Sequence, residues 1–220
     1  MQETEKVNKF IDDQIIFFNN YVGKVFNKDQ NIGKTAIVSF LESVTYLVAH
    51  TRRVLTNSTN VARKNNDKLL LKYLDHKFEE EEGHERWGLA DLKLLTGKDY
   101  TVDDLSPLNS MLDMTHYADL MSRKRPVSLI AYSQFSESLT VHYTDTICKS
   151  IKDNFDNSSI NWSLETDINL YRPNYVVWES ITKEMEYEHS MPFELCNIFK
   201  DYIFELLILS QVARPGSLKI

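Results

Sequence analysis

Apolar residues return every three or four positions along most of the chain, and nowhere do they alternate over a sustained run. That period predicts helices at 3–26, 34–57, 66–96, 109–123, 127–153, 174–190 and 193–212. Between them, NKDQNIGK, LTGKDYTVDDLSPLNS and DNFDNSSINWS are rich in Asn, Asp, Ser and Gly and read as connections. Pro126 and Pro173 stand where a first-turn proline belongs, and Pro192 either starts or kinks the last helix. Repeats, low-complexity stretches and linkers are absent. The pattern predicts one all-α domain over residues 1–220, a bundle of about seven helices.

Charge interrupts the pattern most sharply in HKFEEEEGHERWGLADLKLLTG, His76 to Gly97. Spaced at about 100° per residue, the 66–96 helix carries Leu70, Leu74, Gly88, Leu92 and Leu95 on one stripe. Glu81 falls in the middle of that stripe and His84 beside it. Glu79 and Glu82 belong to other faces and are expected in solvent, with His76 and Glu80 at the margin. A buried carboxylate is costly unless donors or a cation compensate it. Two explanations fit: a Glu81–His84 ion pair at the edge of the core, or a bound metal.

Two further helices tilt the balance toward metal. In KEMEYEHSM, Glu186 and His189 share a face with Tyr175, Trp178, Thr182 and Met185. Glu137 shares one with Ile130, Val141, Cys148 and Ile151. Carboxylate-bridged di-iron and di-manganese bundles are assembled from Glu-x-x-His pairs and single glutamates on facing helices. The mixed oxygen and nitrogen set suits iron or manganese better than a closed zinc site. A ferritin-like centre needs one more inward carboxylate, and Glu42 has a suitable spacing. The 34–57 stripe is Ile37, Leu41, Val44, Val48 and Leu55, however, and Glu42 points nearly opposite to it. That ligand is expected to be missing.

Composition narrows the class. A chain of 220 residues suits one domain with a substantial core, and a formal charge of -7 argues against a nucleic-acid surface. The short SRKR run reads as the close of a helix before Pro126. FELLILSQV is too short to span a membrane, and MQETEKVNKF is too polar for a secretory signal. Cys148 and Cys196, without CxxC spacing, read as reduced core thiols of a cytoplasmic protein. Phosphate-cradling glycine loops and nucleophile elbows are absent.

TYLVAHTRRVL, HKFEEEEGHERWGLADLKLLTG, RPVSLIAYSQFSESL and EMEYEHS follow one another in the order seen in the haem-oxygenase-like, iron-containing redox enzymes. Over residues 40–195 the chain resembles that group, which includes the haem-oxygenase-like di-iron oxidases and oxygenases. The second segment is the most specific: a helical His, glutamates, Gly-His, an aromatic, Asp-Leu and a final Gly. The resemblance implies the seven-helix all-α fold shared with thiaminase-II-like proteins and the pyrroloquinoline-quinone synthase. It implies an O2-activating oxidoreductase with a metal-binding, non-haem iron centre, often di-iron, with manganese as the alternative metal. The group's reactions include oxidative C–C cleavage, N-oxygenation and desaturation of small substrates. Carried over by position, the ligands are Glu81, His84, Glu137, Glu186 and His189, with Glu81 or Glu137 bridging two irons. Two positions depart from the family's last ligand helix, commonly His-x-x-x-Asp-x-x-His: Thr182 replaces the first His, and Glu186 replaces the Asp. Losing an imidazole weakens one metal position, and neither His50 nor His142 falls on a face that would replace it.

Three alternatives stay open. The fold could persist with a degenerate site that no longer holds metal. A haem oxygenase proper would need a proximal imidazole, and His50 is the candidate, although it lies off the apolar stripe. A metal-free bundle binding an apolar ligand or partner would use Trp87, Tyr132, Trp178 and Tyr187 as core or pocket lining. His116 and His142 are lone histidines. The expected partners are a small-molecule substrate and O2, with a homodimer left open and neither nucleic acid nor a membrane span.

Overall fold

The computed structural model describes residues 34–130, 132 and 133, together with Lys9 and Ile16. A long helix, α1, spans Lys34–Lys64. It outruns the predicted 34–57 because the polar run TNSTN is used for packing. Ser58 and Ala62 are fully buried, and the Asn57 amide donates to Asp119 Oδ1 at 2.8 Å. Arg63 and Lys64 in the last turn complement its carbonyl end. Asn66, in the left-handed region at φ 55, turns the chain back.

Where one helix is predicted over 66–96, there are two. Helix α2 covers Lys68–Glu80, its N-terminus capped by Asp67, whose carboxylate accepts from Leu70 N–H at 3.0 Å. Helix α3 covers Glu85–Thr96 and ends at Gly97, φ 72, whose N–H reaches Lys93 O at 2.8 Å. A short 3-10 turn, Val102–Asp104, follows, closed by a reciprocal box between Thr101 and Asp104. Helix α4, Asn109–Lys124, matches the predicted 109–123. Another helix starts at Ser128, close to the predicted start of 127–153. Lys9 and Ile16 are helical, as predicted for 3–26. The rest of 3–26 and of 127–153, the helices 174–190 and 193–212, Pro173, Pro192, His142, Cys148 and Cys196 lie outside the described residues. Among the described residues there is no strand, and no helix is long and apolar enough to cross a membrane.

Helix α1 is the organising rod, packing against α2, α3 and α4. The α2–α3 leg runs back along it: the Arg52 guanidinium lies 4.9 Å from the Phe78 ring centroid, and Thr45 abuts Gly88. Helix α4 runs parallel to α1, since Ser43 Oγ accepts from Leu108 N–H at 3.0 Å and, a few turns on, Arg53 and Asn57 reach Asp119. Ile37, Leu41 and Leu55 of α1 are buried, as are Leu70, Leu74, Leu92, Met111 and Met114 of the helices packed on it. The predicted stripe of the second leg is therefore buried at Leu70, Leu74, Gly88 and Leu92, with Leu95 half-buried. Each fully buried leucine contributes roughly 1.5–3 kcal/mol.

Two predictions follow from this packing. A Cβ at Gly88 would overlap Thr45 Oγ1 and stand 3.0 Å from Thr45 Cβ and Cγ2. Gly88→Ala should therefore destabilise by about 1–3 kcal/mol, and a double-mutant cycle with Thr45→Ala in denaturant melts should recover part of the loss. Asp119 joins Arg53, Asn57 and Arg123. Burial pushes its carboxyl up, but the hydrogen bonds and charges of Arg123 and Arg53 outweigh it and hold the pKa below the ordinary value. A carboxylate lowered in the folded state stabilises fully above its unfolded pKa and loses that stabilisation as pH falls through the folded value. Urea melts should show this component fading below about pH 4, and Asp119→Asn should remove it at a cost of about 1 kcal/mol or less at neutral pH.

Candidate metal site at the break between the second and third helices

The break lies inside the glutamate run. Glu81 is the C-cap of α2, its N–H donating to Lys77 O at 3.0 Å. Gly83 takes φ 81, and His84 begins α3 as its N-cap with αR backbone. In a continuous helix Glu79 and Glu82, and Glu81 and Glu85, would be like-charge neighbours three and four residues apart, and a glycine in mid-helix gives up about 1 kcal/mol relative to alanine. Both favour ending the helix here. Glu81 and His84 thus do not share one helical face, as the continuous helix predicts. They face each other across a turn.

That turn sorts the acids. Glu79, Glu80 and Glu82 are exposed. Glu80 accepts from His76 Nε2 at 3.1 Å and from Lys77 Nζ at 3.0 Å, and Glu82 lies 3.8 Å from Arg52. The side chains of Glu81 and His84 are withdrawn, 23 % and 16 % exposed, with Glu81 Oε2 3.4 Å from His84 Nδ1. Most of the run is a solvated face, and one acid and one imidazole turn away from water together.

The pair passes a simple test as ligands. Two donors about 2.1 Å from one first-row divalent cation stand about 3.0 Å apart at a right angle and about 3.4 Å at the tetrahedral angle. The observed separation lies within that span and is long for a charge-assisted hydrogen bond. One oxygen and one nitrogen donor also match the preferences of iron and manganese. Among the described residues no group of three or more His, Cys, Asp or Glu side chains is arranged to hold a metal. Glu137, Glu186 and His189, with Thr182, lie outside the described residues.

Other candidates fall into place around the pair. Trp87, half-buried, stacks on His84 with ring centroids 4.3 Å apart and planes 24° from parallel. Glu42 is half-buried: burial raises its carboxyl above the ordinary range, opposed by the Lys98 ammonium. Lys98 follows the C-terminus of α3, the far end of that helix from the break. His50 is half-buried, its Nδ1 2.9 Å from Tyr46 O and its ring 4.1 Å from that of Tyr46. His116 is exposed, and Tyr132 is buried. One buried acid enters the sequence reading only within the Asp-Leu of the HKFEEEEGHERWGLADLKLLTG segment and not as a site residue: Asp91 on α3 is 3 % exposed. Its position seven residues beyond His84, on the same helical face, and next to Leu92 is the signal that would have singled it out.

No protein-family model and no curated protein matches the chain. A solved structure is similar to it: a domain of unknown function with a haem oxygenase-like fold from Shewanella denitrificans OS217. It shares 16 % identity at a TM-score of 0.58, covering 95 % of this chain and 89 % of that one. With helices and no strand among its described residues, and similar to that domain over nearly its whole length, the chain has a haem-oxygenase-like, all-α fold.

Proposed function

We propose that the break between α2 and α3 forms one side of a non-haem iron centre, and that the protein is an O2-activating oxidoreductase acting on a small organic substrate in the bundle interior. The observation that carries this reading is the withdrawn Glu81–His84 pair, with facing donor atoms 3.4 Å apart. Glu137, Glu186 and His189 complete the proposed ligand set on the strength of the resemblance, and Thr182 leaves it one imidazole short. Iron bound there supplies the activation of O2.

The chain's own residues do the rest. Glu81 places negative charge where a cation is to sit, which offsets the desolvation of both partners. The His84 imidazole, in its neutral form, offers a ring nitrogen lone pair. Trp87, stacked on the His84 ring, covers one face of that imidazole with apolar surface.

Anaerobic Fe(II) loading, desalting and iron analysis test the proposal. Retention on the order of one to two irons per chain is expected. Glu81→Gln and His84→Ala should each lower retention by at least about tenfold while the helical circular dichroism is kept. Absence of retained iron in the parent protein, or retention indifferent to both changes, would sink the reading.

His50 favours a second reading. A carbonyl oxygen only accepts, so in the contact with Tyr46 O the proton sits on Nδ1, and the neutral ring carries its lone pair on Nε2. Metal-binding histidines are commonly oriented in this way. In a haem-binding protein His50 would be the residue that holds the haem iron. Haem titration should then shift the Soret band in the parent protein and not in His50→Ala, and an unshifted band rejects it.

A further inference from the structure

His84 occupies the N-cap position of α3, yet its side chain makes no capping hydrogen bond there. One edge of the ring, Nδ1, faces Glu81. One flat face lies against the Trp87 indole, 4.3 Å between centroids and 24° between planes. Trp87 belongs to the same turn, its N–H donating to His84 O at 3.1 Å, so the two rings are carried by one piece of backbone. Rotating the imidazole about its bond to Cβ would break the edge contact and the face contact together.

We infer that Trp87 is a positioning residue of the metal site: its indole face fixes the plane of the His84 imidazole, so that the ring meets a divalent cation in one orientation. The inference rests on the proposed metal site and adds to it a residue that does not itself touch the metal. A histidine at a glycine turn, with no neighbour on its face, divides among several rotamers, and its apparent affinity falls by the fraction that is binding-competent. Stacking removes that penalty in advance of binding. The aromatic face is the working feature, so an alkyl side chain of similar bulk cannot replace it, whereas another ring can.

Mn(II) titration followed by electron paramagnetic resonance tests the role without any turnover. His84→Ala should abolish binding. Trp87→Leu, which keeps apolar bulk, should weaken it by roughly tenfold or more, and Trp87→Phe should stay within about threefold of the parent protein. The chain has three tryptophans, so the Mn(II)-induced change in emission that is lost in Trp87→Phe belongs to Trp87. That change should disappear in His84→Ala as well. If His84→Ala abolishes binding while Trp87→Leu leaves the affinity unchanged, or while Phe fares as badly as Leu, the positioning role is wrong and the metal site stands. The same holds if Trp87→Phe leaves the emission change intact. If His84→Ala binds Mn(II) like the parent, both the site and the positioning role fall.

Discussion

Gly83 sits at φ 81, a backbone conformation that a residue with a side chain adopts only under strain. The restriction is conformational and not one of room, because an added Cβ would meet only the flexible Arg86 side chain, at 3.6 Å or more. From this one left-handed residue the local geometry follows. Helix α2 ends at Glu80, α3 starts at Glu85, and the residues between reverse no direction but shift the chain enough to bring Glu81 and His84 face to face. In an uninterrupted helix they would lie side by side on one face. At the break the two donor atoms stand 3.4 Å apart on side chains largely withdrawn from water, a separation that a cation can bridge.

The break is held against α1. Thr45 lies so close to Gly88 that no side chain fits between the two helices, and this fixes the start of α3 relative to the rod. Farther along, Arg52 spans the break, near Phe78 of α2 and Glu82 of the turn. On another flank, Asp119 gathers Arg53, Asn57 and Arg123 and ties α4 to the same rod. These polar contacts are partly exposed and contribute little energy individually. Their value is in register, since each is satisfied at only one alignment of the helices.

Similarity to the Shewanella denitrificans domain is a statement about backbone, and one fold supports many chemistries. The proposed oxidoreductase therefore rests on side chains: an acid, an imidazole and an indole placed together at a helix break. The haem-based reading rests on a different imidazole, His50, oriented by its own helix through Tyr46 O. The two readings use separate histidines and separate cations, so substitutions at one leave the other intact.

Helical class, the burial of Leu70, Leu74 and Leu92 and the exposure of Glu79 and Glu82 were legible from periodicity alone, because a repeat of about 3.6 residues sorts side chains by face whatever they pack against. Helix α4 was legible to within a residue. The break was not, although Gly83 was in plain view. Four residues of turn replace about one helical turn, so the apolar pattern continues in phase across the interruption, and periodicity cannot distinguish a broken rod from a straight one. Glu81 and His84 emerged as inward for the same reason, while their place in a turn between two helices did not. The extension of α1 through Asn57 and Ser58, the close approach of Thr45 to Gly88, the stacking of Trp87 on His84 and the burial of Asp91 were decided by tertiary structure. Each depends on which group stands opposite, and a linear pattern records a residue's own face without recording its neighbour.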